Sequence, residues 1–224
     1  MSWFNSQAGK QLLLTEQSIV DSLLEDKFGY FAIQLGDYDC NFLTESRIAQ
    51  HLFNGGKYQN ISFFNSSLPI MADSVDLIIS PHIIEQTSNT EFLFKEMYRT
   101  IIPGGHAVFI SFNPYSLAGL RKIFGFENIA PWNGNFMSVN FLQKTLISVG
   151  FTIDEAKMSN YQLIFSDKTI NYKKSFESIG SRWLPFFGNI YLVVAKKMEA
   201  SITPIKPKWI KPKKLSVAIN KGHL

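Results

Sequence analysis

The sequence predicts an α/β fold with a mainly parallel sheet that helices cover on both faces. Apolar segments of strand length alternate along the chain with longer segments whose apolar residues recur at helical spacing. Two of the strand segments, residues 75–80 and 107–112, are almost continuously apolar. Strands buried on both faces of a parallel sheet have this composition.

The order of the elements follows from the same periodicity. We expect helices at residues 9–27, 90–101 and 139–149, and strands at residues 30–35, 60–64, 75–80, 107–112, 151–156 and 190–196. Residues 47–53 fit either a helix or a strand. Pro103, Gly104 and Gly105 break the second helical pattern. In the first helix we place the polar residues, Glu16 among them, away from the apolar side.

Composition excludes several classes of protein. The 224 residues are 46% hydrophobic and 18% charged, which excludes a disordered chain and allows a large core. The single cysteine, Cys40, excludes a disulfide framework and a cysteine-rich zinc module, and no cluster has metal-ligand spacing. We find no apolar run of the length a membrane span needs and no secretory signal at the start, so we expect a cytoplasmic protein.

The positive charge is concentrated in the last 26 residues. Residues 199–224 hold six lysines against one acid, so the remaining chain has 16 bases and 17 acids. We therefore divide the chain into an N-terminal helical extension (1–28), one α/β domain (29–198) and a basic tail (199–224). Because the tail also holds three prolines, we expect it to be extended or disordered.

The tail has two interpretations. Trp209 lies among five lysines, a pattern compatible with RNA or an anionic surface, because basic arms bind through phosphate neutralisation and stacking. The lysines are Lys206, Lys208, Lys211, Lys213 and Lys214. The alternative, which is more common for short lysine runs, is a tail that only keeps the protein in solution.

An ordered set of motifs lies in the middle of the chain. Leu68-Pro69-Ile70 precedes the strand at 75–80, His82 and Glu85 follow it, and a helix with Glu96 and Arg99 then leads to Pro103-Gly104-Gly105. This set resembles the class I S-adenosylmethionine-dependent methyltransferases, in particular the small-molecule enzymes often called type 11. The segment at 112–121 resembles a proteobacterial subgroup of that family without an assigned substrate. The resemblance implies a Rossmann-like, seven-stranded sheet and S-adenosylmethionine as cofactor.

The chain departs from the family pattern after its first strand. The family has an acid and three glycines there, since glycine lets the backbone approach the cofactor closely. Here Gln34 replaces the acid, Gly36 is kept, and Tyr38 and Cys40 replace the other two glycines. Residues 50–58 offer no acid for the ribose. The acid that accepts from adenine in the family falls on Phe64, with Asn65 beside it, so two further contacts are altered.

The resemblance assigns roles to particular residues. The predicted cofactor-binding residues are Gly36, Asp37, Tyr38, Phe64, Asn65, Ser80 and Pro81. The predicted substrate-binding residues are Asn113, Pro114 and Tyr115. His82 is a candidate general base, because its unperturbed pKa suits that role. The alternative for His82 is a loop histidine satisfied by backbone groups. Glu85 is expected to face solvent, and Asp37 or Asp39 could take the methionine ammonium.

Two functions remain open at this point. The first is a methyltransferase with an altered cofactor pocket and an unknown acceptor. The second is an inactive scaffold or binding module, in which Tyr38 and Phe64 close the former cofactor cleft. The loop at 34–40 separates the two: an open cleft favours the enzyme, and a ring filling that cleft favours the scaffold.

Overall fold

A computed structural model describes residues 3–36, 39–62, 67–116, 119, 122, 134–159 and 188–198. After a 3-10 turn at Trp3–Asn5, its helices are α1 (Gln7–Leu24), α2 (Ile83–Gln86), α3 (Thr90–Thr100) and α4 (Val139–Val149). Its strands are β1 (Phe31–Leu35), β2 (Gln50–Asn54), β3 (Val75–Pro81), β4 (Ile101–Phe112), β5 (Phe151–Ser159) and β6 (Ile190–Lys197). The basic tail, with its five predicted contact lysines, lies outside these residues. None of the described helices has the length and hydropathy of a membrane span.

Six strands form one mainly parallel sheet in the order β2-β1-β3-β4-β6-β5. The pairs β1/β2, β1/β3 and β3/β4 are parallel, and β6 runs antiparallel to both β4 and β5. The carboxyl ends of β1, β3 and β4 therefore lie at one edge, where sheets of this type bind ligands. The ambiguous segment at 47–53 resolves as a strand, β2.

The sheet has six described strands, where the resemblance implied seven. The strand expected at residues 60–64 is not among these six, and residues 63 and 64 lie outside the described part of the chain. In the described part of that segment, Ile61 makes a single parallel bridge to Asn54. The side chain of Asn60 explains why the ladder stops there: its Oδ1 accepts from Phe53 N at 2.7 Å and its Nδ2 donates to the His51 carbonyl at 2.9 Å. This amide replaces the strand-to-strand hydrogen bonds.

Helix α1 begins after the capping residue Ser6 and buries one face. Ser6 has extended backbone angles, and its hydroxyl accepts from Gly9 N at 3.1 Å, which satisfies one free donor of the first turn. The buried residues recur at helical spacing: Gly9, Leu12, Leu13, Glu16, Val20 and Leu24. Our placement of Glu16 away from the apolar side is therefore wrong, because it lies in the middle of the buried stripe.

Alternate residues of the strands belong to two hydrophobic clusters. Leu77 of β3 and Val108 of β4 pack in the cluster that contains the buried side of α1, Trp3 and Phe4. Ile78 and Phe109 pack in the other cluster, which contains the buried residues of α3 and α4. This alternation is the two-residue period of a strand. It places α1 against the sheet next to the ligand-binding edge.

The Pro-Gly-Gly segment belongs to strand β4. Helix α3 ends at Thr100 as expected, but β4 begins at once with Ile101, earlier than the predicted residue 107. The strand accommodates these residues by a register shift: Val75 pairs with Ile101, and Leu77 pairs with His106. The backbone of Gly104 has a φ of 85°, a conformation that favours glycine.

Lys197 fastens the end of β6 to the end of α3. Its buried Nζ donates to Asp73 Oδ1 at 2.6 Å and to the carbonyls of Tyr98 and Ile101 at 2.7 Å each. We expect Lys197→Met to lower the free energy of unfolding by about 1–3 kcal/mol, because two buried carbonyls lose their donor. Urea denaturation checks this result. Lys196→Met, on the neighbouring position of β6, is the control, and equal losses in both variants would contradict the assignment.

Candidate functional site

His82 lies directly after β3 between two carboxyl groups. Its Nε2 lies 2.9 Å from Oε1 of Glu16 on α1, and its Nδ1 lies 3.3 Å from Oε1 of Glu85 on α2. The imidazole also packs against two aromatic rings, with centroid distances of 4.9 Å to Phe4 and 4.5 Å to Phe112. His82 and Glu16 are fully buried, and Glu85 is almost so. The group thus joins the N-terminal helix to the ligand-binding edge of the sheet.

Glu85 does not face solvent, and that expectation is corrected. Its Oε1 accepts from the Ser111 hydroxyl and from Phe112 N, each at 2.8 Å, in addition to its contact with His82. Glu85 therefore links the end of β4 to α2. Glu16 was missed as a partner of His82. The spacing of Glu16 four residues after Leu12 and four before Val20 was the available signal, since these positions share one helix face.

The carboxyl groups determine the charge of His82. Burial by itself would lower the pKa of His82, but the charge of Glu16 and hydrogen bonds with Glu16 and Glu85 outweigh it and raise the pKa to about 10. The imidazole is therefore protonated at neutral pH. His82 also has a φ of 46°, an uncommon conformation for a residue with a side chain. A strained backbone and a buried ion group at the same residue indicate a constrained position.

The raised pKa gives a stability change with pH. Below about 6.5, the ordinary pKa of histidine, the stabilisation by protonated His82 is fully present, and it is lost as pH rises towards about 10. The measured quantity is the difference in unfolding free energy between the wild type and His82→Gln. We expect this difference to fall by up to about 1.4 kcal/mol per pH unit between pH 6.5 and 10. Urea denaturation between pH 6 and 10 measures it. A difference that stays constant or grows with pH would rule out the ion group.

Gln34 organises the loop that follows β1. Its Nε2 donates to the Cys40 carbonyl at 2.8 Å, and its Oε1 accepts from Phe42 N at 2.9 Å. The amide supplies both a donor and an acceptor, which a carboxylate cannot do. The replacement of the family's acid by Gln34 thus holds residues 40–42 against the end of the strand. Phe42 and Leu43 follow in the core under α1.

The substitution Gln34→Glu tests this account of the loop. We expect it to lower the free energy of unfolding by about 1–3 kcal/mol, because a carboxylate oxygen would face the Cys40 carbonyl without a proton between them. Gln59→Glu, at an exposed position, is the control. Equilibrium denaturation measures both variants. A Gln34→Glu protein as stable as the control would show that the amide does not organise the loop.

A first cavity of about 510 Å³ opens between α1 and the segments after β1 and β2. It is lined by Phe4, Asn5, Lys10, Leu13, Leu14, Gln17, Asp39, Cys40, Asn41, Thr44 and Tyr58. Lys10 and Asp39 bring one charge of each sign. Burial raises the pKa of the Cys40 thiol to about 11, with smaller contributions from Glu16 and Asp21, so the thiol adds no charge at neutral pH.

A second cavity of about 450 Å³ lies at the ends of β3 and β4. Its lining comes from α2 and the start of α3, the turn after β4, and the segment before α4. These residues are Ile84, Thr87, Ser88, Thr90, Pro114, Tyr115, Asn135, Phe136, Met137, Ser138 and Phe141. The side chains that line it are apolar, aromatic, hydroxyl or amide groups, and none of them carries a charge.

Aromatic rings separate the two cavities. Phe4 lines the first cavity, and Phe136 lines the second. The ring centroid of Phe112 lies 6.2 Å from that of Phe4 and 5.3 Å from that of Phe136, on which the Phe112 ring stacks. We call Phe4, Phe112 and Phe136 the aromatic wall. Phe112 and Phe136 come from β4 and the segment before α4, whereas Phe4 comes from the 3-10 turn before α1. The wall therefore combines the sheet edge with the N-terminal segment.

The structure places the predicted cofactor residues as follows. Ser80 and Pro81 are buried in β3, where the Ser80 hydroxyl donates to the Val108 carbonyl at 3.1 Å. Gly36 ends β1 with a φ of 116°, and its N–H donates to the Asn54 carbonyl. These three residues do not line the described cavities. The remaining predictions, Asp37, Tyr38, Phe64 and Asn65, lie outside the described residues.

The predicted substrate residues separate into two groups. Pro114 and Tyr115 line the second cavity. Asn113 is buried and fastens the end of β4: its Nδ2 donates to the Gly188 carbonyl at 3.0 Å, and its Oδ1 accepts from Tyr115 N at 3.1 Å. Asn113 thus holds Tyr115 in place and does not itself line the cavity.

Comparison with known proteins agrees with this geometry. The family model for a methyltransferase domain matches residues 35–109, which run from the last residue of β1 through β2, β3, α2 and α3 to most of β4. Over that range the chain is similar to the methyltransferase-domain family. The resemblance drawn from the motifs is confirmed, and the family and fold imply S-adenosylmethionine as the cofactor.

Individual relatives are distant. The uncharacterised protein YafS of Escherichia coli is 23% identical over 83% of this chain and 77% of its own length. A malonyl-[acyl-carrier protein] O-methyltransferase of Methylovorus is 22% identical over 60% of this chain, which spans only 45% of that enzyme. The structure of an S-adenosylmethionine-dependent methyltransferase from Thermotoga maritima has a TM-score of 0.61 at 18% identity, and the match covers 83% of this chain and 89% of that one. At this identity the structural match shows the fold.

Proposed function

We propose that the protein is an S-adenosylmethionine-dependent methyltransferase that binds its cofactor in the first cavity. The observation that carries the proposal is the position of this cavity, beside the segments that follow β1 and β2 in a methyltransferase fold. Its volume, about 510 Å³, is within the range of small-molecule sites. In this proposal the altered loop at 34–42 changes which residues hold the cofactor.

The described lining suits the parts of this cofactor. Asp39 offers a carboxylate for the methionine ammonium, and Lys10 offers an ammonium for the methionine carboxylate. Tyr58 offers a ring for the adenine base. Asn41, Thr44 and Gln17 add amide and hydroxyl groups of the kind that hold a ribose. The predicted cofactor contacts of Gly36, Asp37, Tyr38, Phe64, Asn65, Ser80 and Pro81 remain part of the proposal.

Bound there, the cofactor supplies an electrophilic methyl group. An acceptor held beside the residues of the first cavity would receive this methyl group. The protein contributes orientation and exclusion of water. Because His82 is fully buried and protonated at neutral pH, we assign it the positioning of α1 rather than the uptake of the acceptor's proton.

Transfer between the cavities requires the aromatic wall to open. Phe4 is the member of the wall carried by the N-terminal segment, so a displacement of the turn at Trp3–Asn5 would remove one ring of the wall. The Glu16–His82 contact fixes α1, which follows that turn directly. In this proposal the turn moves while α1 stays in place.

Isothermal titration with S-adenosylmethionine tests the cofactor site. We expect saturable binding to the wild type and a loss of about tenfold or more in Asp39→Asn, because a charge-assisted hydrogen bond contributes about 1.5–3 kcal/mol. Glu91→Gln, an exposed acid on α3, is the control and should bind like the wild type. No heat at millimolar cofactor with folded protein would reject the proposal, and equal losses in both variants would reject the role of Asp39.

The scaffold alternative has one observation in its favour. The aromatic wall is closed in this structure, and Phe4 and Trp3 are both buried in it or next to it. A scaffold would keep the wall closed permanently and would need no cofactor. S-adenosylhomocysteine then would not raise the melting temperature, whereas the methyltransferase binds it and is stabilised.

A further inference from the structure

The second cavity has a lining that selects its ligand by charge. Thr87, Ser88, Thr90 and Ser138 contribute hydroxyl groups, Asn135 contributes an amide, and the remaining side chains are apolar or aromatic. A charged ligand group enters a partly desolvated site at a large cost unless an opposite charge meets it. None of the described lining residues offers that partner.

Among the described residues, Lys122 has a charged group that contacts a side chain of the cavity lining, and this group is already engaged. Lys122 places its ammonium 4.8 Å from the centroid of the Phe136 ring and donates a hydrogen bond to the Gly134 carbonyl. It is not part of the cavity lining. Its contacts hold the segment before α4 and make it a poor partner for an anionic ligand.

Three aromatic residues determine the shape of the ligand. Phe136 stands at the inner side as part of the aromatic wall, while Tyr115 and Phe141 flank the opening and are 71% and 58% exposed. Aromatic pairs favour stacked or edge-on contacts with another ring. A ring between these side chains would cover apolar surface that is otherwise in water.

We propose that the second cavity binds an uncharged aromatic molecule that carries a hydrogen-bonding substituent. Ser88, Thr90 and Asn135 are the groups that bind the substituent, and Tyr115, Phe136 and Phe141 contact the ring. The volume of about 450 Å³ accommodates a molecule of one or two rings. The identity of this molecule as the methyl acceptor rests on the proposed function, but its binding does not.

A pair of probes that differ only in charge tests the site. The neutral probe is 4-hydroxybenzamide, and the anionic probe is 4-hydroxybenzoate, each titrated into the full chain without cofactor and followed by NMR. We expect the amide to bind at least about tenfold tighter than the benzoate, since the carboxylate has no partner. Equal or tighter binding of the benzoate overturns the proposal, and so does the absence of saturable amide binding.

A matched pair of variants on α4 locates the binding. Phe141 lines the cavity and Ile147 does not, although both are 58% exposed on the same helix. We expect Phe141→Ala to weaken binding of the amide about tenfold and Ile147→Ala to leave it unchanged. Equal effects in both variants overturn the location.

The cofactor titration separates this inference from the proposed function. If the amide binds and S-adenosylmethionine does not, the aromatic site stands and the methyltransferase proposal fails. If S-adenosylmethionine binds and the amide does not, the inference fails and the methyltransferase proposal stands.

Discussion

The contact between Glu16 and His82 determines how the ligand-binding edge is built. One partner belongs to the N-terminal helix and the other follows the central strand β3, so a 2.9 Å contact joins segments that are 66 residues apart in sequence. It fixes α1 over one face of the sheet and leaves the first cavity between the helix and the segments after β1 and β2. Glu85 extends the same group to the end of β4 through Ser111 and Phe112.

The buried ion group depends on all of its partners. Each carboxyl group loses its water, and its contacts with His82 and with backbone donors compensate for that loss. Removal of one partner would leave the others buried without compensation. In the described part of the chain, Glu16 Oε2 and Glu85 Oε2 are buried without a hydrogen-bond partner, which makes the group sensitive to any change around it. The same group places Phe4 against Phe112 and so completes the aromatic wall.

The periodicity of apolar residues predicted most of the helices and strands, whereas it did not predict the contacts between them. The helix predicted at residues 139–149 has the boundaries of α4, and in the structure Ser138 caps its first turn while Gly150 ends it. In the described part of the strand expected at 60–64, the Asn60 side-chain amide bonds to Phe53 N and the His51 carbonyl in place of ladder hydrogen bonds, and apolar composition does not reveal this. Our solvent-facing placement of Glu85 was wrong, because a four-residue helix is too short for a periodic pattern to show its buried side.

The family motifs predicted a site at the carboxyl ends of the strands, and two of the predicted substrate residues, Pro114 and Tyr115, line the second cavity. The contacts of Gln34 depend on chemistry that those motifs do not contain. In the sequence, Gln34 replaces the acid of the family pattern. In the structure, its amide donates to the Cys40 carbonyl and accepts from Phe42 N, and so supports a different loop. The direct measurement of the cofactor site is an NMR experiment with S-adenosylmethionine carrying a ¹³C-labelled methyl group. We predict nuclear Overhauser contacts from this methyl group to Phe4 and Leu13, which line the first cavity. Contacts confined to residues of the second cavity, such as Met137, or none at saturation, would contradict the account.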